Sequence, residues 1–223
     1  MTTALSLEDY LQFQQGLVTR RQLSDAGADH ALEAGLIEHA IGGVYDLTVD
    51  DDIVYTRPGR MMSGNDMGYL APLIVATRDV PHGVVTPFIW EAALVIQDVG
   101  VLDLPTDSGA DVAVPLAYAH QARDLALPDQ LTVHPIALND SEWFYFEGIP
   151  VQRTDLAIKH LADTPGMEPQ WLEAAVTDAF CDELASMQQL ADAIDRYARF
   201  DHPEPMTGEQ LVARWTENAK VLF

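Results

Sequence analysis

Glycines at positions 16, 27, 35 and 42–43 punctuate the N-terminal segment so closely that helices between them are held to about two turns. The residues after each break carry start signals of their own. Ser6 with Asp9 three residues on forms a capping-box pattern, and Leu7, Tyr10, Leu11 and Gln14 then share one face of a first helix. Leu17 and Val18 make a short extended link. Thr19 with Gln22 repeats the capping-box pattern, Leu23 points inward, and Gly27 closes a second helix. A third helix is expected from Ala28 to Ala34, with Ala31 and Leu32 inward. Leu36 to Ala40 reads as a strand, Gly42-Gly43 as a hairpin turn, and Val44 to Leu47 as the returning strand. Short helices joined by a tight turn and followed directly by a hairpin predict a winged helix-turn-helix.

Beyond this point the acidic run Asp50 to Asp52 and Arg57-Pro58-Gly59 read as a hinge over 48–66, dividing the chain into a domain at 1–60 and a larger one at 61–223. A helix is expected near Gly68 to Thr77 with Pro72 early in it. Thr86-Pro87 looks like a cap with proline in the first helical position, ahead of a buried stripe of Trp90, Leu94 and Val95. Strands follow at Asp111 to Pro115 and Leu131 to Ile136, around a short helix at Ala117 to Leu125. Trp143 to Glu147 is an aromatic strand turning at Gly148 into Ile149 to Gln152. Thr154 is expected to cap a helix burying Leu156, Ala157, His160 and Leu161, with Ile158 flanking. The remainder is helical over 168–178, 181–200 and 207–221, the last opened by Thr207 and Gln210. The fold class is therefore α+β: a winged helix-turn-helix, then an α/β C-terminal domain with a mixed sheet and C-terminal helices.

Twelve basic residues stand against 35 acidic ones, for a net charge of −23. Residues 1–60 carry −6 and the rest −17, so the N-terminal part is the less acidic without being basic. Such a charge repels nucleic acid at long range. Its origin stays open between a host with an acidic proteome and a surface selected for a basic partner. Hydrophobic residues make up 48% of the chain, enough for a sizeable core, but no apolar run is long enough to cross a bilayer. The polar N-terminus lacks the pattern of a signal peptide, and the single Cys181 cannot form an internal disulfide. A cytoplasmic protein with no membrane partner is the expectation.

No catalytic constellation stands out. Three successive aspartates at 50–52 cannot all face one ion on a strand, because side chains alternate. Asp178, Asp182 and Glu183 read as a solvated helix face. His82, His120, His134, His160 and His202 have no ligand-like spacing, and Cys181 has no histidine near it and reads as a buried small hydrophobe. Glycine-rich phosphate loops and nucleophile elbows are missing. The expectation is a non-enzyme with no cofactor and no metal. The run Trp143 to Phe146 must place aromatics on both faces of its strand, so an uncovered face would be a partner surface.

Three segments, in order, resemble the AbiEi family of antitoxins and transcriptional regulators. Gly16-Leu17-Val18-Thr19-Arg20-Arg21-Gln22-Leu23 with Ala26-Gly27 is similar to the entry into its winged helix, and Gly43-Val44-Tyr45-Asp46-Leu47 to its wing. Glu147 to Thr154, with the helix from Leu156 to Asp163, is similar to its C-terminal "Gly-Ile-Pro-Val then Thr-helix" segment. Val84-Val85-Thr86 with its following helix matches a further strand-then-helix element, and the likeness spans roughly residues 10 to 165. The resemblance implies an abortive-infection, type IV toxin–antitoxin regulator that binds operator DNA and counteracts a nucleotidyltransferase-like toxin. It does not give an oligomeric state. Residues able to reach DNA backbone or bases are Thr19, Arg20, Arg21, Gln22, His30, His39 and Tyr45. The chain departs from the family where bases are usual: its third helix offers Asp29, His30 and Glu33, and the strand before the wing offers Glu38 and His39. Carboxylates facing phosphates reduce affinity, which leaves a second reading, an acidic interaction module whose winged helix no longer binds DNA.

Overall fold

The computed structural model describes residues 5–42, 45–50, 52–64, 66–81, 83–100, 110–125 and 130–219. They belong to two compact units, the first comprising 1–86 with 112–137 and the second 87–111 with 138–223.

The first unit opens with helix α1 (Leu7–Phe13), whose capping box between Ser6 and Asp9 is formed in both directions. Gln15 and Gly16 both take positive φ and end it, releasing strand β1 (Leu17–Thr19). Helix α2 (Arg20–Asp25) starts on the second capping box, Thr19 with Gln22. The expected third helix is not formed over its full length: only a 3-10 turn, Asp29–Ala31, is present. Its first residue has no side-chain cap, and Gly35 leaves the helical region at φ +68, so a seven-residue segment has too few internal bonds to offset nucleation.

Strands β2 (Glu38–His39), β3 (Ile41–Gly42), β4 (Tyr45–Asp46), β5 (Thr48–Val49) and β6 (Asp52–Thr56) follow. β3 pairs with β4 antiparallel, the hairpin expected from Gly42-Gly43, although Gly43 and Val44 at its tip lie outside the described residues. The hinge expected over 48–66 is corrected in its first half. β5 and β6 form a second hairpin there, with Val49 opposite Asp52, and Ile53 to Thr56 are a β-branched and aromatic run suited to a strand. β6 also pairs antiparallel with β1 and with β2. The sheet and helices enclose a core of Tyr10, Leu11, Val18, Leu23, Ile37 and Tyr55. A single wide turn of helix at 66–70 leads into α3 (Ala71–Ala76), with Pro72 early as expected. Residues 112–137 return to this unit, where β7 (Ala110–Ala113) pairs with β8 (Leu131–His134). Between them only Ala119–Gln121 is helical, as a 3-10 turn, in place of the helix expected over 117–125.

In the second unit, helix α4 (Trp90–Ile96) begins at Trp90, not at Thr86-Pro87. Phe88 explains the delay. Its amide donates to the Pro150 carbonyl, its carbonyl accepts from Gln152, and the Ile89 amide donates to Asp111, so residues 88–89 are held as extended backbone. Trp90 makes the corner at φ +58, and the buried face of α4 is Ala92, Ala93, Leu94 and Ile96, with Trp90 and Val95 half-buried. Strands β9 (Trp143–Phe146) and β10 (Ile149–Gln152) form the expected hairpin, antiparallel in register from Phe146–Ile149 to Trp143–Gln152. Phe88 forms an isolated parallel bridge with Val151 beside this antiparallel hairpin.

Helices α5 (Thr154–Asp163), α6 (Pro169–Cys181), α7 (Met187–Phe200) and α8 (Gly208–Ala219) complete the unit. Thr154 is the first residue of α5 and not its cap, and Ile158 is fully buried in the core instead of flanking it. Cys181 is exposed, which corrects its reading as a buried hydrophobe: it sits in the last turn of α6. Asp178 is not simply solvated, since it accepts from the Gly100 amide at 2.9 Å. α7 starts on a third capping box, Ser186 with Gln189. No helix among the described residues is long and apolar enough to cross a membrane.

Candidate functional site

The start of α2 sets out the first part of the site. Thr19 is fully buried and Gln22 nearly so. Thr19 Oγ1 accepts from the Gln22 amide, Gln22 Oε1 accepts from the Thr19 amide, and the Gln22 and Gln14 side-chain amides bond to each other in both directions. The polar atoms of both residues are thus engaged inside the fold. Arg20 and Arg21, at the next two positions, are exposed. His30 is exposed on the 3-10 turn, whereas His39 is half-buried on β2 with its ring 5.0 Å from that of Tyr55. Tyr45 lies on β4, with its side chain outside the described residues.

Of these seven residues, Arg20 and Arg21 come together in one cleft of about 440 Å³, and two arginines from much later in the chain, Arg78 and Arg123, join them there. Four of the ten arginines in a chain of net charge −23 therefore line a single concavity. Asp29, Asp50 and Asp52 also line it, giving the wall a formal charge of +1.

These charges are not equivalent. Arg78 donates from Nη1 to Asp52 Oδ2 at 3.1 Å, and both side chains are largely buried, at 13% and 9% exposure. A buried pair of this kind holds its geometry, because either partner alone would be an uncompensated charge. Asp79 lies 3.9 Å from Arg78 Nε, beyond hydrogen-bond reach, and 3.7 Å from Arg21 Nη2. Arg123 Nη2 approaches Asp50 Oδ2 to 2.6 Å without the alignment of a hydrogen bond. The Nε–H groups of Arg78 and Arg123 are shut off from solvent and donate to no acceptor among the described residues. Arg20 makes no ion pair with a described residue. The phenol of nearby Tyr10 is held above its ordinary pKa by burial first, then by Asp25 and Asp79.

Sequence reasoning missed Arg78, Arg123 and the aspartates that face them. The acidic run looked like a solvated linker. In the structure Asp50 and Asp52 flank a hairpin turn and meet arginines supplied by α3's C-terminal turn and the loop before β8, while Asp51 lies outside the described residues. The scarcity of arginine in so acidic a chain was the one available signal.

The second unit has a larger concavity of about 610 Å³ beside Cys181, lined by Phe180, Leu184 and Ala185. Its neutral polar groups Ser186 and Gln189 are spent on the α7 capping box, and Glu183 is the carboxylate in its wall. Among the described residues, no three His, Cys, Asp or Glu side chains are grouped to hold a metal ion. Compared with known proteins, the chain matches no family model, no curated protein and no solved structure.

Proposed function

We propose that the chain is an antitoxin-like transcriptional regulator of the AbiEi type, acting in the cytoplasm, whose N-terminal residues form a winged helix that binds operator DNA and which counteracts a nucleotidyltransferase-like toxin. The observation that carries this reading is the order of elements. Strand β1, lying between α1 and α2, pairs with β6, while the β3–β4 hairpin falls between β2 and β6. A winged helix has the same order of helices, strands and wing. Arg20 and Arg21 are exposed at the start of α2, which supports a role in backbone phosphate contact. The 3-10 turn at 29–31 would read bases poorly, so backbone contact dominates the affinity.

Two phosphate contacts imply a shallow salt dependence, with log K falling against log salt at a slope of about −2. A gel-shift titration against the protein's own upstream region over a salt series tests this, and no binding at low salt would overturn the DNA-binding half. Co-expression with a neighbouring nucleotidyltransferase-like toxin tests the other half, rescue of growth being the expected result. The second reading, an acidic interaction module that does not bind DNA, is favoured by Asp29 on the exposed 3-10 turn and Glu33 just after it. It predicts toxin rescue without a shifted DNA band.

A further inference from the structure

We propose that the arginine cleft of the first unit is a binding site for a phosphate ester, with Arg20, Arg78 and Arg123 taking its oxyanion. This goes beyond the regulator reading and does not depend on it. A guanidinium presents its five N–H groups in a fixed fork, and burying one without an acceptor is costly. Arg78 and Arg123 both line the cleft, and each buries an Nε–H that meets no acceptor among the described residues; these groups and Arg123 Nη2 are closed to solvent, so a ligand gains Arg123 by displacing the Asp50 carboxylate that lies against it. Arg20 adds a guanidinium without an ion pair to any described residue, and Ser24 adds a neutral hydroxyl donor. Phosphate oxygens suit such donors, because charge-assisted bonds from arginine are stronger than neutral ones. The volume of about 440 Å³ exceeds what a lone oxyanion needs and lies in the range of small-ligand pockets, which points to a mononucleotide-sized ester.

The carboxylates in the wall set the terms of binding. Asp52 is committed to Arg78 through a buried hydrogen bond. Asp50 is different: it is about one-third exposed, stands at φ +46 in a turn, and contacts Arg123 without hydrogen-bond alignment. It occupies the place an incoming oxyanion would take and is the group such a ligand displaces. Asparagine tolerates positive φ as well as aspartate does, so Asp50→Asn removes the competing charge without disturbing the turn.

The test is isothermal titration of the full chain, in non-phosphate buffer, with inorganic phosphate, adenosine monophosphate, adenosine and a short duplex. Phosphate and adenosine monophosphate are expected to bind in the millimolar range or tighter, and adenosine not at all. Arg123→Gln and Arg20→Gln should each weaken adenosine monophosphate binding about tenfold, and Asp50→Asn should tighten it severalfold. Competition by the duplex would make a nucleic-acid backbone the source of the phosphate, and binding without competition would make it a free ester. Circular dichroism of each variant guards against unfolding. The proposal is overturned if neither phosphate nor adenosine monophosphate binds at about 10 mM, or if Asp50→Asn and Arg123→Gln bind like the parent. A failed gel shift would sink the regulator reading and leave this result untouched.

Discussion

Thr154 shows how far a single side chain can depart from what its neighbours in sequence imply. As an expected cap it would turn back onto its own helix. Its hydroxyl instead donates to Gln97 Oε1 at 2.5 Å, and Gln97 Nε2 donates to the carbonyls of Ala93 and Gln152. Gln152 Oε1 in turn accepts from the Trp90 amide at 3.0 Å. This chain of buried amides joins α4, β10 and α5, and each member satisfies another. Thr154→Val keeps the shape and leaves the Gln97 oxygen without that donor, so a loss of about 1–3 kcal/mol is expected in urea denaturation. Thr154→Ser should retain most of the stability, and equal behaviour of the two variants would show that the hydroxyl contributes nothing. The His160 ring stacks on Trp90 at 4.4 Å and 11°, covering the residue that bends at positive φ.

At the scale of elements, the sequence signals that succeeded are local ones. The capping pairs Ser6–Asp9, Thr19–Gln22 and Thr207–Gln210 close within four residues, so a short pattern contains all the physics, whereas the helix expected over 181–200 starts only at Met187. The failures are elements decided by distant partners. α4 starts late because β10 holds Phe88, and residues 52–56 are a strand because β6 has β1 and β2 to pair with. The α7–α8 pair gives two tests of such contact. A Cβ on Gly208 would overlap the Ala191 carbonyl oxygen, and Asp195 accepts from both the Gly208 amide at 3.0 Å and Arg199 Nε at 2.6 Å. Gly208→Ala must push the helices apart, so a loss of about 1–3 kcal/mol or more is expected in thermal denaturation. The Arg199 hydrogen bond, then the Gly208 amide, hold the Asp195 carboxyl below the ordinary carboxylate range. A depressed folded pKa means stability present above about pH 4 and lost as the pH falls through the lower folded value. Asp195→Asn should therefore flatten part of the acid limb of stability below that pH. An unchanged limb would show that the pair is screened away by solvent.

For the whole molecule, the governing quantity is the net charge of −23. Self-repulsion on this scale weakens the compact state and is screened by salt. Thermal stability should rise as sodium chloride is raised from low levels to about 1 M, whatever the origin of the acidity. A melting temperature that stays flat or falls would mean that ion pairs such as Arg78–Asp52 outweigh the repulsion. The same charge makes the arginine cleft stand out: its wall, at +1, is electropositive relative to the chain around it.

Sequence alone determined the punctuation of this protein. Caps, glycine stops and the aromatic hairpin are set by backbone bonds and φ preferences acting over a few residues, and these were legible without a fold. Tertiary structure decided what the charges do. Arg20 and Arg21 stood out early, but Arg78, Arg123, Asp50 and Asp52 acquire meaning only when α3, β6 and the loop before β8 bring them to one wall. Coulombic and hydrogen-bonding partners are chosen by distance in space, and a linear pattern carries no record of that distance.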